Sequence, residues 1–441
     1  KTLSQRHISL ITLGGVIGAG LFVGSSAAIA AAGPAITISY LGAGILVFLV
    51  MRLLGELAVA KPGLGSFADY VRWGLGNWAG FTAGWLYWYF WIIVIGIEAI
   101  AGAKLIQNWI DLPLWCLGGI LIGSLLVVNL ASTRAFGEFE FWFASIKVAA
   151  ILAFVLIAGG YALGLGTGHG PAFGNLIEHG GFSPFGSTAI IAGVTTVIFS
   201  LTGVEIATIA AAESKEPAKA IARMTTTLIW RIIIFYVLSV FLITVVVPWN
   251  EIVVGQSPFA QVMGAIGIPA AETIMNLIVL TAVLSCLNSG LYVCSRLLFG
   301  LAAHRDAPTW LIALNRRQVP TRSIMIAGAG GYLAVLASIL SPDGIFAFLV
   351  NASGAIVLMI YILICASHAR LSDQLRQSSS MTRLLPRWTA VFTIIGILAV
   401  LTAMFVIPES RTQLLLSIFS AAIVLGCFVI SQRYSGWQKK P

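Results

Sequence analysis

Three ionisable residues lie deep inside long apolar stretches of the chain: Glu98 in WIIVIGIEAIAGAKL, Lys147 in EFWFASIKVAAILAF and Glu205 in FSLTGVEIATIAAAES. A charge at mid-bilayer costs about 2.5 to 3.5 kcal/mol on insertion scales, so each such residue needs a partner or a task. A carboxyl group there either bonds a neighbouring helix in its neutral form or takes and releases a proton. For Glu98 the two roles stand level. Lys147 sits roughly two turns inside its run, where snorkelling to the aqueous boundary competes with a functional role. Glu205 directly follows Phe199-Ser200-Leu201-Thr202-Gly203, a polar and flexible interruption, and of the three it is the first choice for proton coupling. Glu56, Arg231, Arg296 and Glu272 fall near the ends of apolar runs, where solvated or interfacial charges are expected. The five histidines, His7, His169, His179, His304 and His368, read as lying in or beside loops, and two of them in one Gly-rich loop do not specify a metal site. Five cysteines, Cys116, Cys286, Cys294, Cys365 and Cys427, show no metal spacing and read as packing residues. No nucleophile and base pair emerges, so an enzyme is not expected.

The elements that must hold these residues are membrane helices. Of 441 residues, 59% are hydrophobic and only 9% charged, far from the mix of a soluble domain. Crossing ~30 Å of hydrocarbon takes about 20 apolar residues. Twelve runs meet that need, near 8 to 32, 35 to 56, 78 to 106, 114 to 131, 141 to 163, 187 to 211, 225 to 248, 270 to 302, 321 to 340, 343 to 367, 388 to 407 and 412 to 433. They lack the period-2 alternation of a membrane barrel, so the expected class is all-α. The first run is too long for a cleaved signal peptide and has eleven successors. With both termini on the cytoplasmic side, 23 of the 25 Lys and Arg fall on inner segments or just inside them, and only Lys104 and Arg411 fall outside. That is the positive-inside pattern for an even number of spans. The formal charge of +9 is therefore a topology signal, and nucleic acid is not an expected partner.

Gly14, Gly15, Gly18 and Gly20 crowd the first half of the first run. Small-residue packing between helices is the plain reading of such spacing. A nucleotide loop is excluded, because no strand precedes the glycines. The sixth run carries its own interruption at 199–203, five runs later. Five is odd, so a second copy of a five-span unit enters from the opposite side, as in inverted-repeat transporters. The expected organisation is one transporter domain over 1–441, with repeats at 8–163 and 187–367 and two additional helices at 388–433. A half-helix starting near Gly18, Ala19 and Gly20 offers N–H groups to a carboxylate. One ending near Phe199 and Ser200 offers carbonyls to an ammonium group. A pocket with both ends fits a small zwitterion.

The segments GGVIGAGLFVGS, GELAVAKPGLGSFADY, GEFEFWFASIKVAAI, FSLTGVEIATIAAAESKEPAKAI and SCLNSGLYVCSR resemble the amino acid–polyamine–organocation superfamily, and within it the bacterial amino acid transporters. The resemblance runs from about Leu10 to Arg433. It implies a LeuT-like core of ten helices with helices 1 and 6 broken, plus two peripheral ones, and secondary active transport by alternating access. By that resemblance Val16, Ile17, Gly18, Ala19 and Gly20 match the carboxylate-binding segment. Ala19 stands where some relatives have Ser, which removes one hydroxyl ligand. Phe199 matches an aromatic that closes over substrate, and Ser200 and Thr202 match positions that meet the amine. Glu205 matches a proton-linked glutamate, and Lys147 matches a lysine standing in for sodium. Tyr87 and Trp88, with Ser285, Asn288 and Ser289, are expected to line the cavity. The implied activity is proton-coupled uptake of GABA or a related omega-amino acid across the bacterial inner membrane. A permease for an α-amino acid such as proline, an aromatic residue or lysine is the alternative. A channel would instead require a continuous pore. The expected partners are the substrate, protons and the lipid bilayer. No cofactor beyond the proton gradient and no obligate protein partner are expected.

Overall fold

The computed structural model describes residues 17–64, 66–131, 133–165, 172–205, 227–315, 319–378 and 384–437. Every regular element among them is helical. Eight helices are apolar and long enough to cross a membrane, and Leu114–Leu130, Gly186–Leu201 and Thr321–Ala337 are shorter apolar helices. The first helical stretch, Ala19–Ala60, would be about 63 Å long if straight, twice the hydrocarbon thickness. It is instead interrupted into α1 (Ala19–Phe22), α2 (Gly24–Ala32) and α3 (Ile36–Ala60). A 3-10 turn at Gly33–Ala35 separates the last two. Gly33 takes φ 64°, and a Cβ there would stand 2.6 Å from Pro184, so both backbone angle and space require glycine.

The next elements are α4 (Phe67–Leu75), α5 (Asn77–Ile106), α6 (Leu114–Ala131), α7 (Thr133–Ala162) and α8 (Gly186–Leu201). Beyond residue 226 come α9 (Thr227–Val246), π-wound over Ile232–Leu238, then α10 (Pro258–Ile266) and α11 (Ala271–Ala303). The chain continues with α12 (Thr321–Ala337), α13 (Pro342–Ser378), α14 (Arg387–Val406) and α15 (Pro408–Trp437). The central element is α5, which packs on α4, α6, α11, α12, α13 and α15. Its sequence is apolar all round rather than on one stripe, and such a helix is stable only when surrounded. At the periphery, Leu156, Leu333, Phe392 and Phe419 are among many large apolar side chains left mostly exposed. A water-soluble surface would not carry so many, and they form the face a multi-pass membrane protein turns to hydrocarbon.

Three charged or polar positions differ from expectation. Glu56 is completely buried rather than solvated at a helix end. Its Oε2 lies 2.8 Å from Nε2 of His368, its Oε1 accepts the Leu385 N–H at 2.8 Å, and Arg52 Nε is 3.6 Å away. His368 itself lies within α13 and not in or beside a loop. Arg231, also expected at a solvated end, is buried. For Glu56 and His368 the physical reason is shared: α3 and α13 continue beyond their apolar runs, so polar side chains at and past the end of the hydrophobic stretch still face neighbouring helices. Arg231 instead lies within α9, beside Tyr236. Glu272 is exposed as expected, and Arg296 is half-buried against the Tyr292 ring.

Candidate functional site

The site is assembled where α1 and α8 meet α5 and α11. Gly18 is extended, α1 makes a single turn, and the helix is interrupted at Val23 (φ −124°, ψ −44°) before α2 resumes. A single turn leaves its leading N–H groups without intrahelical acceptors. The Ala19 N–H is satisfied from outside the helix: it donates to both carboxylate oxygens of Glu98 on α5, at 3.0 and 2.9 Å. The approach is possible only because the neighbours are small. A Cβ on Gly18 would lie 2.5 Å from Glu98 Oε1 and 2.6 Å from the Cys286 Cβ of α11. A Cβ on Gly20 would lie 2.8 Å from the Ser200 Cα of α8. Within the described part of GGVIGAG, these two glycines allow the close approach of three helices.

The second interruption is sharper. Helix α8 ends at Leu201, Thr202 is extended (φ −71°, ψ 153°) and Gly203 takes φ 104°. Thr202 turns back on the helix end, its hydroxyl donating to Ile198 O at 2.9 Å and its N–H to Phe199 O at 3.3 Å. Ser200 donates its hydroxyl to Val197 O at 2.7 Å. Between the two helix interruptions lies a narrow cavity, walled by Gly20, Phe90, Trp91, Glu98, Phe199 and Thr202, with Ser200 and Cys286 at its edge. The rings of Phe90 and Phe199 meet edge to face at 6.4 Å, and Tyr87 stacks on Phe90 at 5.8 Å.

The residues singled out from sequence fall into three neighbouring groups. Gly20, Phe199, Ser200 and Thr202 line the cavity together with Glu98, and Gly18 and Ala19 lie behind it against the Glu98 carboxylate. Ile17 is buried just before them, and Val16 lies outside the described residues. Glu205 and Tyr87 form a second group. The buried Glu205 carboxylate accepts the Gly203 N–H at 3.0 Å and faces the hydroxyls of Tyr87 and Tyr361 without reaching hydrogen-bond geometry. Ser285, Asn288 and Ser289 of α11 belong to the third group, around Lys147, and do not border the cavity. Lys147 is fully buried and does not snorkel; its Nζ donates to Ser285 Oγ at 2.8 Å. Asn288 Oδ1 accepts from Asn129 at 2.7 Å, and Trp88 is half-buried.

The sequence reading did not single out Glu140, which is buried on α7 and accepts the Ser285 hydroxyl at 2.5 Å. Its signal was available: Glu140 precedes Lys147 by seven residues, two helical turns, and so shares its face. Phe90 and Trp91 were likewise legible as the i+3 and i+4 companions of Tyr87.

Buried polar groups gathered around a narrow cavity inside a multi-pass apolar helix bundle are the arrangement of a membrane carrier of small solutes. Residues 7–408 match the amino acid permease family, and the chain belongs to it. A gamma-aminobutyric acid permease of Bacillus subtilis is 44% identical over 98% of this chain and 94% of its own length. The gamma-aminobutyric acid permease of Escherichia coli is 39% identical, over 100% and 96%. The aromatic amino acid transport protein AroP of Corynebacterium glutamicum is 37% identical, over 97% and 93%.

Proposed function

We propose that this permease takes up GABA or a related omega-amino acid across the bacterial cytoplasmic membrane, coupled to protons, by alternating access. The observation that carries the reading is the cavity bounded by the N-terminal end of α1 and the C-terminal end of α8. Opposite backbone dipole ends suit the two charges of a zwitterion. The gamma-aminobutyric acid permeases among the relatives support an omega-amino acid. In this reading the substrate carboxylate exchanges for the Glu98 carboxylate at the Ala19 N–H, and Glu98 takes a proton as it leaves. The ammonium end meets the α8 terminus near Phe199, Ser200 and Thr202, and Glu205 and Lys147 serve the proton pathway. The finer architecture belongs to the same reading: twelve spans with both ends cytoplasmic, a LeuT-like pair of inverted repeats at 8–163 and 187–367, and two peripheral helices.

The alternative is an aromatic α-amino acid. The ring-lined wall of Phe90, Trp91 and Phe199 and the AroP relative favour it. Uptake of labelled GABA into proteoliposomes, competed by panels of omega- and α-amino acids, separates the two. Competition by omega-amino acids is expected to dominate. Abolishing the pH gradient is expected to stop accumulation above equilibrium; accumulation that persists without a gradient overturns proton coupling.

A further inference from the structure

Glu140 has no part in the reading above, yet it occupies one of the costliest positions in the chain. It is fully buried on α7 within an apolar span, as is Lys147 two turns further along the same helix face. An isolated charge in either place would be strongly destabilising. Ser285 of α11 stands between them. It accepts from the Lys147 ammonium at 2.8 Å and donates its own hydrogen to Glu140 Oε1 at 2.5 Å. The second Glu140 oxygen and the buried Ser289 hydroxyl, one helical turn past Ser285, face each other without reaching hydrogen-bond geometry. Ser285 is followed by Cys286, which packs against Gly18 and Glu98 at the cavity. Lys147 is therefore flanked by two carboxylates, Glu98 on the cavity side and Glu140 on the far side, with Arg231 also near enough to act on it electrostatically.

We infer that Glu140 is a second proton station for coupling, linked to Lys147 through the Ser285 hydroxyl. This rests on the proton-coupled reading proposed above. The transfer balances within the triad. The Lys147 ammonium gives one proton to Ser285 Oγ, Ser285 gives its original hydroxyl proton to Glu140 Oε1, and the result is a neutral amine, an intact hydroxyl and a neutral carboxylic acid. The triad's net charge is unchanged by the shift, because an ammonium–carboxylate pair becomes an amine and a carboxylic acid. The neutral amine can then accept one proton from the cavity side, and the starting state returns when Glu140 gives up the proton it received, so that one proton is taken on and one released per cycle.

The test measures protons carried per substrate, with labelled GABA as substrate and a pH-sensitive dye sealed inside proteoliposomes. Glu140→Gln keeps the shape but cannot receive the proton, and is expected to lower the proton-to-substrate ratio about tenfold, with Glu140→Asp restoring much of it. Ser285→Ala, which removes the relay atom and leaves Glu140 in place, is expected to lower the ratio in the same direction. A wild-type ratio in Glu140→Gln overturns the inference. If that variant does not assemble, a wild-type ratio in Ser285→Ala overturns it instead. A wild-type protein that carries no protons defeats the coupled reading itself, an outcome distinct from failure of the Glu140 role.

Discussion

Gly18 and Gly20 are single hydrogen atoms on which the approach of helices depends. An added methyl at Gly18 would overlap the Glu98 carboxylate and Cys286, and one at Gly20 would press on the Ser200 backbone and the Phe199 ring. Overpacking of this kind costs about 1–3 kcal/mol. Gly20→Ala meets the Ser200 Cα of α8 and Gly18→Ala meets the Cys286 Cβ of α11, and neither atom can rotate away. Both substitutions are therefore expected to lower the detergent unfolding temperature. Gly18→Ala, by placing a methyl where a carboxylate reaches the Ala19 N–H, is expected to weaken GABA binding measured by scintillation proximity. Equal, wild-type affinity in both would argue against a carboxylate site at this turn. At this scale the sequence was informative where a residue type is rare in its setting, as glycines in a membrane run and Glu98, Lys147 and Glu205 in apolar stretches are. It was silent where partners come from distant positions. Nothing in the string joins Glu98 to Ala19, 79 residues away, or Glu140 to Ser285, 145 away.

Helices are held in register by polar contacts placed where their apolar stretches stop. Glu56 of α3 collects three partners from three parts of the chain: Arg52 on its own helix, His368 on α13, and the backbone of Leu385 just before α14. Glu56→Ala leaves the Leu385 N–H and the buried His368 ring without their acceptor. His368→Ala leaves Glu56 still bonded to Leu385 and beside Arg52. Breaking a buried pair from its charged side costs about 3–5 kcal/mol. Glu56→Ala is thus expected to lower thermal stability in detergent clearly more than His368→Ala. In the double variant the His368 substitution should add little, the mark of coupled neighbours. The opposite order would mean that packing around the imidazole matters more than the carboxylate's bonds. The contact also explains a limit of reading helices from hydropathy. Hydropathy finds the part of a helix that lies in hydrocarbon, and α13 extends from Pro342 to Ser378 around an apolar run of 343 to 367. His368 fell one residue past that run and so read as a loop residue. The break in α8 was legible, because Thr202 and Gly203 are poor continuations of a helix; its end at Leu201, against an apolar run to 211, followed from Gly203 at φ 104°.

The molecule has two polar ends separated by its apolar belt, and α5 runs between them for about 45 Å. At one end Ser66 caps α4 and bonds Asp69, Arg72 pairs with Asp306, and His304 lies 3.0 Å from Asp69. Burial pushes the Asp306 carboxyl above its usual range, while the Arg72 guanidinium beside it pulls the other way. At the other end Lys104, Gln107, Gln256, Gln261, Glu272 and Asn276 line a wide polar vestibule. The proposed orientation puts the first end on the cytoplasmic side, with Lys104 the single cation of that vestibule wall and Arg72 and Arg305 in the inner set. Gln256 and Arg305 are both exposed, one at each end. In a background with the native cysteines replaced by serine or alanine, Gln256→Cys is expected to react with a membrane-impermeant maleimide on intact cells. Arg305→Cys is expected to react only after permeabilisation. The reverse pattern would turn the protein over in the membrane, and with it the side from which the cavity loads. Saturating GABA provides the sharper measurement. If the vestibule leads to the cavity between α1 and α8, closing it over substrate should slow labelling at Gln261, which faces the vestibule from α10, more than at the outer rim near Gln107. An equal response at both positions would mean that the vestibule does not take part in access to the site.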